Sequence, residues 1–325
     1  MVRADDILSG NRRALARAIT LAESSRRDHR LTAENLLQDL LPATGNALRL
    51  GVSGVPGVGK STFIETFGLY LIEQGLKVAV LAVDPTSPVT GGSILGDKTR
   101  MEQLSRRSEA FIRPSPTGGT LGGVARRTRE SLLLCEAAGF DVIIIETVGV
   151  GQSETAVKDL VDMFLLLLLP GGGDELQGIK KGIIEIADLI CINKADGDLA
   201  DEAKRAAAEY RGALRLLRPP VAEWRPPVVI CSALEGGGIA EIWSQIKRFR
   251  EIMAACGQLD ARRARQARGW LWNELTEALV DAFRAQNGME QLLEACEKDV
   301  MAGKKAPSVA ARLLLERFLG KEAAE

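Results

Sequence analysis

The sequence predicts an α/β fold: a mostly parallel central sheet built from βαβ units, with helical extensions at both ends. Three observations carry that expectation. Between residue 46 and about residue 255, short apolar runs alternate with helical stretches and Gly-rich turns, the pattern of parallel strands joined by crossover helices. Residues 1–41 instead alternate apolar and charged positions at helical spacing, as in Leu15, Ile19 and Ala22, with few β-branched residues. From about residue 257 onward glycine thins out and helix formers dominate. These shifts divide the chain into an N-terminal helical extension (1–41), a sheet domain (42–256) and a C-terminal helical extension (257–325).

The first zone reads as two or three amphipathic helices, closed by Pro42. The strands expected next are Leu48–Ser53, Lys77–Val83, Val142–Glu146, Met163–Leu169, Leu189–Asn193 and Val228–Cys231. Each is followed by polar or Gly-containing residues at its carboxyl end, the edge at which open α/β sheets bind ligands. In the last zone Leu271, Leu275, Ala278 and Ala282 form one apolar stripe, Met289, Leu292, Cys296 and Val300 a second, and Val309, Leu313 and Phe318 a third. Gly288, and Gly303 with Pro307, punctuate them, so three helices with one apolar face each are expected.

Composition excludes several functions. The 325 residues carry 42 Lys+Arg against 43 Asp+Glu, so there is no basic surplus of the kind that marks nucleic-acid binders. The clusters Lys247-Arg248-Arg250 and Arg262-Arg263-Arg265-Arg268 lie in helical settings with intervening acids, and read as solvated faces or intersubunit salt bridges. Trp270 and Trp272 read as interface or core anchors. The five cysteines are scattered without a C-x-x-C pair, which suits buried thiols in a reducing compartment. His29 is the only histidine and sits in a charged helix end, so multi-histidine metal sites are impossible. The most apolar run, Phe164–Leu169 before Pro170, is far short of the ~20 residues a membrane helix needs. The N-terminus lacks an apolar signal core, and its arginines are interleaved with acids, which argues against a transit peptide. A cytoplasmic location, or a processed organellar one, is expected, with no nucleic-acid or membrane partner.

The strongest chemical signal is Gly54-Val55-Pro56-Gly57-Val58-Gly59-Lys60-Ser61, a complete G-x-x-x-x-G-K-[ST] between a strand and a helix that starts near Ser61-Thr62. Backbone N–H groups must wrap a polyphosphate closely, and the three glycines keep the loop bare. The helix N-terminus adds a favourable dipole. Lys60 can reach the β- and γ-phosphates, and the Ser61 hydroxyl can ligate Mg²⁺.

The base is named by Asn193-Lys194-Ala195-Asp196 at the end of the expected strand Leu189–Asn193. A carboxylate there accepts both N1–H and the exocyclic amino group of guanine, whereas adenine would leave it without partners. Asn193 would tie this loop to the phosphate loop, and the Lys194 stem would cover the base. Ser232-Ala233-Leu234, after the next strand, supplies a further wall of the pocket. GTP or GDP with Mg²⁺ is the expected ligand set.

Between these motifs, one strand ends in Asp84-Pro85-Thr86-Ser87 and another in Glu146-Thr147-Val148-Gly149. The second holds the place of the usual D-x-x-G but carries Glu, whose longer carboxylate can still hold Mg²⁺ through a water. The Gly149 N–H is the natural γ-phosphate contact. Val150 follows Gly149, and Gln152 comes only two residues later, so the usual water-orienting glutamine is displaced. In the glycine-flanked loop 91–100, Asp97 could bind Mg²⁺ or orient water, and Lys98 or Arg100 could meet phosphate charge. Slow intrinsic hydrolysis, accelerated by a partner that orders these loops, is expected.

The combination GVPGVGKST, DPTSP, GGSILGDKTRM, ETVGVGQSE, NKAD and SAL, with helical extensions at both ends, resembles the ArgK/MeaB family of GTPases, the methylmalonyl-CoA mutase-associated chaperones. The resemblance spans nearly the whole chain. It implies a SIMIBI-class P-loop NTPase fold, a homodimer through the C-terminal helices, and adenosylcobalamin-dependent methylmalonyl-CoA mutase as partner. It implies coupling of the GTP cycle to cofactor delivery and mutase protection. By position, Lys60 and Ser61 would hold phosphate and Mg²⁺. Asp84, Asp97 and Glu146 fall where the family places its metal and hydrolysis carboxylates, and Asn193 and Asp196 fall on the guanine motif. With His29 alone to offer as a cobalt ligand, the partner is expected to hold the cobalamin.

Residues 171–181 follow a buried strand with three glycines and a charged continuation. Gln177, Lys180 and Lys181 are candidates for a third switch that reports nucleotide state to the mutase; a plain surface loop leading into a helix 182–187 fits equally. A small-molecule kinase or transport ATPase would lack N-K-x-D. A nickel-insertion GTPase would want a His- or Cys-rich metal site, and a signal-recognition GTPase a Met-rich domain.

Overall fold

The computed structural model describes residues 2–24, 26–83, 101–114, 121–147, 153–171, 181–217, 219 and 221–320, without the side chains of 121–125, 153–155 and 181. The N-terminal zone folds as α1 (Ala4–Leu8), α2 (Arg12–Ala22) and α3 (Arg27–Leu40). Asn11 starts α2 by accepting the N–H groups of Arg13 and Ala14 at 3.0 and 3.1 Å, the usual remedy for orphan donors at a helix start. The predicted apolar positions Leu15, Ile19 and Ala22 are buried, with Ile7 and Leu40 beside them. His29 lies in the first turn of α3, half-buried, with Nδ1 3.0 Å from Ser24 Oγ.

The sheet unit then runs β1 (Leu48–Gly54), α4 (Lys60–Glu73), β2 (Val78–Val83), α5 (Glu102–Ser105), β3 (Ala110–Arg113), α6 (Leu121–Ala137), β4 (Val142–Thr147), α7 (Ser153–Lys158), β5 (Met163–Leu168), α8 (Lys181–Ile186), β6 (Leu189–Ile192), α9 (Ala200–Leu216), β7 (Val228–Ile230) and α10 (Ile239–Ala255). The seven strands form one sheet in the order β3-β2-β4-β1-β5-β6-β7, and every pairing is parallel. The six predicted strands recur with ends shifted by a residue. β3 is an addition. It is a four-residue strand that, among the described residues, pairs with β2 alone, too short to show a period in the sequence.

Each central strand is buried on both faces, which is why it reads as a continuous apolar run. Leu48, Leu50 and Val52 of β1 meet Phe63, Phe67, Ile242 and Phe249 in one core. On the other face Gly51 admits Val157, Val161 and Phe164, and a Cβ there would stand 3.0 Å from the nearest of them. The register sets Val52 opposite Glu146 and Gly54 opposite Leu167, so the phosphate-loop segment leaves the sheet between β4 and β5.

The helical tail comprises α11 (Gln258–Ala285), α12 (Met289–Met301) and α13 (Pro307–Phe318). The chain divides into two compact units, 1–266 and 267–325. In the first, the start of α11 is bound to the amino-terminal edge of the sheet. Asp162 and Asp188, just before β5 and β6, are buried. Arg262 donates to both oxygens of Asp188 at 3.1 and 3.2 Å. Arg263 donates to both oxygens of Asp162 at 2.7 and 2.6 Å. Asp188 also receives Lys158 and the Phe164 N–H. Arg262 and Arg263 are therefore not solvated residues: bidentate geometry satisfies their guanidinium groups inside the unit.

In the second unit Met289, Cys296, Ala310 and Leu314 form a small core with Phe283, Leu292 and Phe318 packed on it. The third stripe is offset from its prediction. Ala310 and Leu314 face inward, and Val309 and Leu313 are exposed. Among the described residues the first stripe is not buried either: Leu271, Leu275, Ala278 and Ala282 are exposed along with Trp272, Leu279 and Val280. Among the described residues no helix is long and apolar enough to cross a membrane.

Candidate nucleotide-binding site

The carboxyl ends of β1, β4, β6 and β7 bring the predicted motifs together. Gly54 ends β1 against β5, and a Cβ there would stand 2.5 Å from the Leu167 carbonyl oxygen. Gly59 has φ +92° and begins α4; its Cβ would lie 2.9 Å from Asn193 Nδ2. Both the backbone turn and the close approach therefore require glycine. Pro56 and Gly57 are exposed at the loop tip, Val55 is half-buried, and Val58 is anchored in the core. This bare loop feeding a helix N-terminus presents N–H groups to an anion.

Lys60 folds across the loop, its Nζ donating to the Gly54 and Val55 carbonyls at 2.7 and 3.3 Å. Burial pulls its pKa below the ordinary lysine value, and the charge of Glu146 opposes that shift. Ser61, half-buried in the first turn of α4, donates from Oγ to Glu146 Oε1 at 3.3 Å. Thr62 beside it is exposed. Glu146 is buried near the end of β4. A hydroxyl and a carboxylate converging beside a phosphate loop are hard oxygen donors that suit Mg²⁺. Asp84, Asp97, Gly149, Gln177 and Lys180 lie outside the described residues. Lys181 opens α8, with its side chain outside them too.

The base motif follows β6 directly. Asn193 is buried; its Nδ2 donates to the Val58 carbonyl at 2.8 Å, and its Oδ1 accepts the Ala233 N–H at 3.0 Å. One side chain thus ties the phosphate loop to the segment after β7. Lys194 is exposed and left-handed at φ +60°, a conformation uncommon for residues other than Gly, Asn and Asp. Asp196 Oδ1 accepts from Ser232 Oγ at 3.1 Å, which orients the carboxylate. Ala233 is buried and Leu234 is 77% exposed at the rim. Gly238, at φ +79°, lets the chain turn back over β7: a Cβ would stand 2.2 Å from the Ile230 carbonyl oxygen.

The sequence reading missed several supporting residues. Thr66 Oγ1 donates to the Ala233 carbonyl at 2.7 Å. Cys231 Sγ contacts Asn193 Oδ1 at 3.3 Å and Cys191 Sγ at 3.0 Å. Thr147 Oγ1 donates to Ser53 Oγ at 2.9 Å in a buried pair between β4 and β1. Glu65 Oε1 accepts the Gln103 N–H at 2.7 Å, just inside α5. Apart from Thr147, which lies in the Glu146–Gly149 motif, none of these residues stands in a motif; the fold brings them into contact.

Comparison with known proteins agrees with this geometry. The family model described as "Methylmalonyl Co-A mutase-associated GTPase MeaB" matches residues 15–288. GTPase ArgK of Escherichia coli K12 is 54% identical over 282 residues, spanning 87% of this chain and 85% of its own. The mouse methylmalonic aciduria type A homolog, a mitochondrial protein of Mus musculus, is 52% identical over 322 residues, spanning 96% of this chain and 78% of its own. A solved structure described as LAO/AO transport system kinase is 42% identical and superposes with a TM-score of 0.76, covering 97% of this chain and 96% of that one. A P-loop fold, a family match across most of the length and relatives named as GTPases converge on one assignment: the chain belongs to the MeaB family of methylmalonyl-CoA mutase-associated GTPases.

Proposed function

We propose that this GTPase uses its nucleotide cycle to govern delivery of adenosylcobalamin to methylmalonyl-CoA mutase, and to protect that enzyme. It would act as a cytoplasmic homodimer with Mg²⁺ at the nucleotide. The family's description names the mutase association, and the mouse relative is a methylmalonic aciduria type A homolog. The observation that carries the guanine reading is the linked set Val58–Asn193–Ala233 with Asp196 held by Ser232. In it Asn193 ties the phosphate loop to the segment whose Ser232 orients the Asp196 carboxylate, which supports that reading.

Within that site each group has one task. The N–H groups of Gly54, Val55, Gly57, Val58, Gly59, Lys60, Ser61 and Thr62 cradle the phosphates, and Pro56, which has no N–H, shapes the loop between them. Lys60 exchanges its loop carbonyls for β/γ-phosphate oxygens, adding charge where the leaving group develops it. Ser61 and Glu146 would hold Mg²⁺, with Asp84 and Asp97 as further ligands or water-positioning groups. When bound, the ion neutralises charge on the phosphates. The Gly149 N–H meets the γ-phosphate. Asp196 reads guanine, Lys194 covers it, and Ser232, Ala233 and Leu234 close the rim. Gln177, Lys180 and Lys181 would form the switch felt by the mutase. The exposed stripe with Leu271, Leu275 and Leu279 on α11 supplies the dimer seam, since a long exposed apolar face on one helix marks an interaction surface.

Co-purification with a candidate mutase, followed by GTPase assays with and without it, tests the proposal. Slow turnover alone and a severalfold rise with the mutase are expected; fast multiple-turnover hydrolysis in isolation refutes the activation reading. Sedimentation of the full chain should show a dimer that Leu275→Asp dissociates.

A further inference from the structure

The hydrogen bonds at the site form a closed circuit. Starting at the phosphate loop, the Val58 carbonyl is held by Asn193, and Asn193 in turn holds the Ala233 N–H. The Ala233 carbonyl is held by Thr66 Oγ1 at 2.7 Å. Thr66 lies on α4, whose first residues are Lys60 and Ser61, so the path returns to the phosphate loop. Asn193 closes one half of this circuit, as the base motif predicts. Thr66 closes the other half, and no motif contains it.

The circuit has a chemical consequence. The segment 232–238 is otherwise held by its own turn: Ser232 N–H to the Gly237 carbonyl at 3.0 Å and Glu235 N–H to Ser232 Oγ at 3.1 Å. Both contacts move with the segment. Two of its ties to the rest of the site, Asn193 and Asp196, come from the β6 side. Thr66 holds it from the α4 side. Resting on the guanine reading above, we infer that Thr66 is a positioning residue for the base: its hydroxyl fixes Ala233 and Ser232, and so sets how long nucleotide stays bound, without taking part in hydrolysis. Because α4 also carries Ser61, the same hydroxyl fixes the base wall relative to the phosphate anchor, and a rigid spacing favours one length of ligand.

The test uses the full-length chain and a fluorescent N-methylanthraniloyl GDP, with dissociation followed in stopped flow against excess GDP. Thr66→Val keeps the shape and removes the donor, leaving the carbonyl of the buried Ala233 without this partner. A loss of this kind corresponds to about a tenfold faster dissociation. KM for GTP should rise similarly, with kcat within about twofold of the parent, and Thr66→Ser, which keeps the hydroxyl, should restore both. A packing role would not be rescued by serine, which lacks the methyl group, and would not divide KM from kcat. Thr66→Ala provides a second donor-free variant should valine disturb α4. Unchanged dissociation in a folded donor-free variant, or a fall in kcat matching the rise in dissociation, overturns the inference. Asp196→Asn separates the two readings, because it should move preference from guanine to xanthine nucleotides. If it does not, the base-site reading fails; if it does and Thr66→Val is silent, only the role of Thr66 falls.

Discussion

Replacing Asp188 with alanine should destabilise the sheet unit severely while sparing the chemistry at its far edge. The carboxylate is buried and accepts four donors: both guanidinium nitrogens of Arg262 at 3.1 and 3.2 Å, the Phe164 N–H at 2.9 Å, and Lys158. Its removal takes the carboxylate from two cations whose side chains are only 11% and 21% exposed, leaving Arg262 with the Asp162 backbone carbonyl. Breaking a buried pair by deleting one partner costs about 3–5 kcal/mol. In a unit of this size each kcal/mol moves the thermal midpoint by about 2–4 °C, so a fall of roughly 6–20 °C is expected. The assay is a thermal scan by circular dichroism on the full chain, paired with GTP turnover at 25 °C. Asp188→Asn keeps an acceptor for the Phe164 N–H and should fall less than alanine does. A shift under about 2 °C for Asp188→Ala would refute the reasoning, and would mean that the two cations find water or other acceptors.

Other perturbations address the site itself. Asn193→Ala leaves the Val58 carbonyl and the Ala233 N–H without their shared partner, and GDP affinity should fall more than tenfold, at about 1–3 kcal/mol per lost buried bond. Equilibrium titration with labelled GDP decides that. Gly238→Ala sets a Cβ 2.2 Å from a carbonyl oxygen at φ +79°; strain and overpacking together predict a loss of about 2–6 kcal/mol in urea unfolding. Glu146→Gln removes the charge beside Ser61, and should cut GTP turnover while GDP binds in the absence of Mg²⁺ as in the parent. Burial lowers the pKa of Lys60, whereas a bound phosphate favours its charged form. Nucleotide binding therefore takes up a proton once pH passes the unliganded value. Affinity should be flat at neutral pH and decline on the alkaline side, earlier than an ordinary lysine would dictate. A GDP titration series from pH 7 to 10 that stays flat throughout would contradict this.

What the sequence disclosed and what it hid follow one physical line. The phosphate loop and N-K-x-D were legible because each is a contiguous segment whose residue types answer to local backbone demands. Gly59 must take φ +92°, and Asp196 must follow a strand. Of the contacts joining them, the tie from Asn193 to the phosphate loop was expected from the motif and is met at Val58, 135 residues away, whereas that of Thr66 with Ala233, across 167 residues, was not legible. Strands buried on both faces announced themselves as apolar runs, whereas the four residues of β3, preceded by Arg106 and Arg107 and ending in Arg113, did not. Arg262 and Arg263 carried charge in a helical pattern and so read as solvated or as intersubunit salt bridges; their carboxylate partners 74 and 101 residues away in the same chain reveal otherwise. The stripe through Val309 and Leu313 fitted helical periodicity, but its neighbours Ala310 and Leu314 face the core. Periodicity finds an apolar face more readily than its exact rotation.

The strand order also has a consequence for how the chain is made. β1 emerges early and becomes the centre of the sheet, yet both of its neighbours, β4 and β5, come much later. Ser53 and the Thr147 that hydrogen-bonds to it are 94 residues apart. At ribosomal speeds of about 5–20 residues per second, β1 waits roughly 5–20 s for its first partner. Through that interval Leu48, Leu50 and Val52 have no sheet to join, while α1–α3 and α4 already have sequence enough to form. The nascent protein thus passes through a stage in which its future centre is its stickiest exposed segment. Ribosome-bound chains arrested before residue 142 should engage holdase chaperones, and chains arrested after residue 168 should begin to release them.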